Sequence, residues 1–115
     1  GLTNDPKLSV RAFEIIQAPD NAILVSSASG WEIATKYRLG KLPHAADGNR
    51  LPKLLHKARM EALPMTMEHA LAAGALPGPH RDPFDRMLIA QSQIEDLPIF
   101  TSDPAFAHYS VELLW

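Results

Sequence analysis

Three carboxylates in this 115-residue sequence stand where the chain enters a helix. They are Glu32 in Ser29-Gly30-Trp31-Glu32, Asp85 in His80-Arg81-Asp82-Pro83-Phe84-Asp85, and Asp103 in Thr101-Ser102-Asp103-Pro104. Glu32 and Asp103 each follow a short apolar stretch with strand character. In a parallel α/β sheet, helix starts follow the carboxyl ends of strands, and ligands bind along that edge. Three carboxylates gathered there would repel one another, and a divalent cation resolves the repulsion. Oxygen donors in a chain without cysteine favour Mg²⁺ or Mn²⁺ over zinc. Such a site suits phosphoryl chemistry, where a metal activates water and stabilises the leaving oxygen.

Each acid taken alone has a simpler explanation. Ser29-x-x-Glu32 fits a capping box, and Glu32 lies one turn before Lys36 for an i,i+4 pair. Asp82-Pro83 reads as an N-cap followed by proline at the first helical position, with Asp85 facing the helix dipole. Asp103-Pro104 repeats that grammar. Acids so placed stabilise a helix by roughly 0.3–1 kcal/mol each. The metal hypothesis rests on the three together. Competing chemistries find less support. His44, His56, His69, His80 and His108 are scattered without HExxH or another metal spacing, and the serines lack a G-x-S-x-G elbow. Neither a P-loop nor a dinucleotide-binding fingerprint is present. Trp31 and Tyr37 are better suited to core or dimer contacts than to base stacking.

The elements that must position the acids follow from periodicity. A helix is expected from about Ser9 to Gln17, with Ala12, Phe13 and Ile16 available for packing. Ala22–Ser26 reads as a strand covered on both faces. A helix from about Ser29 to Leu39 closes on Gly40. Residues 42–49 are loop, and Leu51–Ala62 is an amphipathic helix with Lys53, Lys57 and Arg59 outward. Thr66 caps a helix to about Ala75. The apolar helix Pro83–Ile94 must pack on a sheet, because Met87, Leu88, Ile89 and Ala90 leave little polar face. Pro98–Thr101 is a second strand, a short helix starts at Pro104, and Val111–Trp115 is a closing strand. Strands alternating with helices argue for one parallel, three-layer α/β domain over residues 1–115. Such a fold needs a central first strand, so the loop-like opening Gly1-Leu2-Thr3-Asn4-Asp5 makes the start look cut.

Bulk properties agree with one soluble core and exclude a membrane-spanning segment, since apolar runs last only a few residues. The absence of cysteine rules out disulfides and thiolate chemistry and suits a reducing cytoplasm. The net charge of −2 conceals an asymmetry. Lys36, Arg38, Lys41, Arg50, Lys53, Lys57 and Arg59 face Asp47 alone, whereas from Met60 onward eight acids outnumber Arg81 and Arg86. A basic middle and an acidic tail suit a polyanionic substrate beside a cation pocket, although from charge alone two solvated faces are the better explanation.

Three segments in order resemble the PIN-domain family, and in particular its VapC-type toxin branch. Ser26-Ser27-Ala28-Ser29-Gly30-Trp31-Glu32-Ile33-Ala34, with Lys36 and Leu39-Gly40-Lys41-Leu42, is similar to the second motif region. His80-Arg81-Asp82-Pro83-Phe84-Asp85-Arg86-Met87-Leu88-Ile89-Ala90-Gln91 resembles the third, and Thr101-Ser102-Asp103-Pro104-Ala105-Phe106 the fourth. The resemblance implies a PIN-like α/β/α domain with a mainly parallel sheet. It implies a metal-dependent endoribonuclease, the toxin of a toxin–antitoxin pair, that cleaves RNA with a metal-activated water. Glu32, Asp85 and Asp103 would hold Mg²⁺ or Mn²⁺, Thr101 or Ser102 would support the water, and Asp82 would chiefly cap its helix. RNA, a cognate antitoxin and a second copy of the chain are the implied partners. The family's first strand carries an Asp with no counterpart here, so impaired activity of this chain is expected. The alternative is a non-catalytic PIN-like module that binds RNA or antitoxin.

Overall fold

The computed structural model describes residues 9–41 and 50–115. The loop-like opening at residues 1–5 and the loop at 42–49 lie outside the described residues. The chain forms two compact units, Ala22–Pro64 and the flanking Gly1–Asn21 with Met65–Trp115.

The inner unit opens with β1 (Leu24–Ser26) and passes directly into α2 (Ser27–Arg38). β1 is shorter than its apolar run and is not covered on both faces, since Leu24 is exposed and only Ser26 is buried. The helix starts two residues earlier than expected, because Ser26 rather than Ser29 is the cap: its hydroxyl accepts from the Ala28 N–H at 3.0 Å. Ser29 is therefore inside the helix, and the Ser29–Glu32 capping box does not form. Gly40 ends α2 as foreseen. Its φ of +72° suits a residue without Cβ, while the Gly40 and Lys41 amides bond back to the Tyr37 and Lys36 carbonyls.

α3 (Leu51–Lys57) stops five residues short of the Leu51–Ala62 span its periodicity suggests. The Arg59 and Met60 amides close onto His56 and Leu55 carbonyls, and Arg59 itself adopts φ +59°. The chain then extends as β2 (Glu61–Leu63), which pairs with β1 in parallel, Leu24 opposite Glu61 and Ser26 opposite Leu63. Parallel neighbours need a crossover, and α2 with α3 lies within it. The residues expected to end a helix thus form a strand.

The outer unit contains α1 (Val10–Gln17), α4 (Met67–Ala75), α5 (Pro83–Glu95), β3 (Ile99–Phe100), a 3₁₀ helix at Pro104–His108, and β4 (Leu113–Leu114). α1 is capped by Ser9 and buries Ala12 completely, but Phe13, expected to pack, is more than half exposed. β3 and β4 pair in parallel, as the sequence led us to expect, with Ile99 opposite Leu113. Ile89, Ile99 and Phe106 form the buried core, against which Leu76, Leu88, Tyr109, Val111 and Leu113 pack.

α4 and α5 run antiparallel, pinned at both ends. At one end the Thr66 hydroxyl accepts from the His69 N–H, and Nδ1 of His69 accepts from the Thr66 N–H. That arrangement leaves the His69 proton on Nε2, which donates to Glu95 Oε1 at 2.9 Å. At the other end Arg86 donates to the Ala73 carbonyl at 3.0 Å. Replacing Thr66 by alanine should lower stability by about 1 kcal/mol, the usual worth of an N-cap, as urea denaturation would read. Among the described residues no helix is long and apolar enough to cross a membrane.

Candidate active site

Asp85 and Asp103 belong to the same edge of the outer unit. β3 runs out at Phe100, so Thr101, Ser102 and Asp103 follow its carboxyl end. α5 feeds back into the start of β3, so its first turn, which carries Asp82 and Asp85, stands at that same end. Asp82 does what its sequence position indicated: Oδ1 accepts from the Phe84 and Asp85 amides at 2.9 and 3.4 Å, ahead of Pro83. Asp103 likewise caps the 3₁₀ helix, Oδ1 accepting from the Ala105 N–H at 2.9 Å. The Thr101 hydroxyl accepts from the Asp103 N–H at 3.0 Å, so it orients the Asp103 backbone, while Ser102 is exposed.

Asp85 differs from the two caps. It is 3% exposed, at a position where a surface helix would leave an acid in water. Its Oδ2 lies 2.7 Å from Nε2 of His80, a partner five residues away across the turn into α5. Burial pushes the Asp85 carboxyl above its ordinary 3.8; the His80 hydrogen bond opposes that rise, and the neighbouring Asp82 charge adds to it. Asp103 shifts downward, because the Ala105 amide stabilises its charged form more than partial burial disfavours it. His80 adds a minor electrostatic contribution in the same direction.

Spacing along the sequence gave no reason to select His80. The signal is three-dimensional. Its ring meets Phe106 edge-on, with centroids 6.0 Å apart at 75°. Its N–H donates to the Tyr109 hydroxyl at 3.2 Å, and its carbonyl accepts from Arg86 Nη1 at 3.0 Å. Gly78 makes that approach feasible. It adopts φ +97°, and a Cβ there would come within 2.9 Å of the Tyr109 hydroxyl.

Glu32, in the inner unit, is 2% exposed and lies in the second turn of α2. With the capping box absent, its observed partner is Lys36 Nζ at 2.8 Å, the expected i,i+4 pair. A buried carboxylate without a capping task is harder to assign to helix stability alone. Among the described residues, no three His, Asp or Glu side chains form a group able to hold a metal ion by themselves. Within the outer unit the donor chemistry suits a hard cation: Asp85 is a buried carboxylate, and Asp103 is held in its charged form. A cavity of about 260 Å³ lies elsewhere, between Asp96, Pro98 and Glu112 at the other end of α5. Its nearest lining residue, Ser92, lies seven residues, about 10 Å, along α5 from Asp85, and Asp85 is not part of its wall.

The PIN domain profile, the family that the three acidic segments resemble, matches residues 1–112. The chain belongs to the PIN domain family. Over 60 residues it is 42% identical to Ribonuclease VapC16 of Mycobacterium tuberculosis (strain ATCC 25618 / H37Rv). That alignment spans 51% of this chain and 41% of the relative. As a PIN domain the chain is an α/β protein, in agreement with its alternating helices and short parallel strands.

Proposed function

We propose that this PIN domain is a Mg²⁺- or Mn²⁺-dependent endoribonuclease, the toxin of a toxin–antitoxin pair, acting in the cytoplasm. The reading is carried by the placement of Asp85, buried and bonded to His80, on the same edge as Asp103. It is supported by family membership and by the likeness to a protein named as a ribonuclease. Glu32, Asp85 and Asp103 would together provide the oxygen ligands within one three-layer α/β/α domain. A bound divalent ion would supply an activated water and neutralise charge on the scissile phosphate.

The remaining work falls to this chain's own groups. Asp82 and Pro83 set the start of α5 and thereby the direction of Asp85. Thr101 holds the Asp103 backbone at the mouth of the 3₁₀ helix. Exposed Arg38, Lys41, Lys53, Lys57 and Arg59 offer positive charge to an RNA backbone. A cognate antitoxin and a second copy of the chain are the proposed protein partners.

The test is RNA cleavage by the full-length protein during a Mg²⁺ or Mn²⁺ titration, beside Asp103→Asn, which keeps a good N-cap. Cleavage should rise saturably with metal and fall at least about 100-fold in the variant, beyond the usual cost of losing a group behind a metal ligand. RNA binding without metal uptake or cleavage would instead identify a non-catalytic module that captures RNA or antitoxin.

A further inference from the structure

We propose that His80 is a positioning residue for Asp85: its Nε2–H fixes Oδ2 and so determines how the carboxylate is presented to a divalent cation. The inference rests on the reading of Asp85 as a metal ligand. It begins from an unusual placement. His80 lies before the cap of α5, outside the helix, and its meeting with Asp85 depends on the bend at Arg81-Asp82 rather than on helical spacing.

His80 is held at three points besides Asp85. Tyr109 accepts from its N–H, Arg86 donates to its carbonyl, and Phe106 meets the face or edge of its ring. The imidazole therefore arrives at Asp85 with little freedom left to lose. Asp85 is nearly inaccessible, and a 2.7 Å bond to a carboxylate there is stronger than one in water. With Oδ2 engaged, the rotation of the carboxylate is set, and Oδ1 becomes the oxygen for an ion. Groups that orient a ligand in this way influence metal affinity without touching the metal.

A merely structural bond would act differently. The connector is already tied to α5 by Arg86 and to Tyr109, so loss of the imidazole donor leaves those attachments in place. The decisive experiment compares Mn²⁺ affinity, by calorimetric titration of metal-free full-length protein, with the thermal midpoint of the same samples. His80→Phe retains a ring against Phe106 but has no donor. His80→Gln places an amide N–H near the position of Nε2. His80→Phe should bind Mn²⁺ about tenfold more weakly or worse, with a modestly lower midpoint because buried Asp85 loses its donor. His80→Gln should recover most of the affinity. Should the phenylalanine variant not fold, His80→Ala takes its place in the comparison with His80→Gln. Wild-type affinity in the donorless variant, or no recovery in a folded His80→Gln, would overturn the inference while leaving the metal site standing. A wild-type protein that takes up no Mn²⁺ refutes the metal-centred reading, and this inference with it.

Discussion

Replacing Asp85 by asparagine is expected to remove metal-dependent RNA cleavage while leaving the fold as stable as before, or more so. Asparagine is nearly isosteric, and its amide oxygen can still accept from His80 Nε2. What disappears is a charge in a site from which water is almost excluded. Removing a direct ligand should cost more than the roughly 10–100-fold typical of groups one layer further out. A variant that cleaves within about tenfold of wild type would discard Asp85 as a ligand. Stability supplies an independent reading with a definite sign. Burial raises the Asp85 carboxyl above 3.8 in the folded chain, against the pull of His80. A raised acid favours folding most below its unfolded value, and that contribution is lost as pH climbs through the folded value. In chelator, urea denaturation should therefore show Asp85→Asn gaining on wild type between acid and neutral pH. Asp103 has the opposite sign: its lowered carboxyl stabilises the fold above 3.8, and the gain is lost as pH falls.

Arg86→Met is expected to destabilise the protein by about 2–4 kcal/mol, read as a fall in the urea midpoint. The guanidinium serves three carbonyls at once: Ala73 through Nε, His80 through Nη1, and Leu76 through Nη2. Ala73 and Leu76 are at the end of α4, where carbonyls lack intrahelical partners, and a cation there also complements the helix dipole. Methionine fills similar space but leaves all three acceptors without that donor. Lysine should not restore the loss, since one ammonium cannot reproduce a planar fork spread over three directions. A midpoint change worth under about 0.5 kcal/mol would place Arg86 among ordinary surface charges.

Neither His80 nor Arg86 stood out along the sequence, and the reason is physical. Both act on groups brought near by the turn between α4 and α5, and no periodicity encodes a side chain that reaches a distant carbonyl. Local grammar, by contrast, was legible. Thr66, Asp82-Pro83, Asp103-Pro104 and Gly40 mark helix boundaries through their own backbone and side-chain preferences, and each does so in the structure. Serine signals were ambiguous because Ser26, Ser27 and Ser29 are all competent caps, and the strand register selected Ser26. The longest misreading was at Ala58–Ala62, where apolar spacing continued a helix past its end. The stop there is Arg59, which adopts a left-handed conformation more typical of glycine, so composition offered no warning. Of the site, the acids were visible as residue types; their burial and the partner of Asp85 were not.

The order of the two units along the chain has a consequence for how the protein can diversify. Residues 22–64 leave the outer unit at Asn21 and return at Met65, so for that unit they are one long closed loop. Loop closure grows so slowly with length that doubling such a loop adds only about 0.6 kcal/mol. The stretch holds every basic residue from Lys36 to Arg59, whereas the core of Ile89, Ile99 and Phe106 lies wholly outside it. Insertions and charge changes at its exposed basic positions, away from Glu32, therefore add little closure cost for the framework that carries Asp85 and Asp103. The basic surface of that stretch can thus be altered without touching the core of Ile89, Ile99 and Phe106.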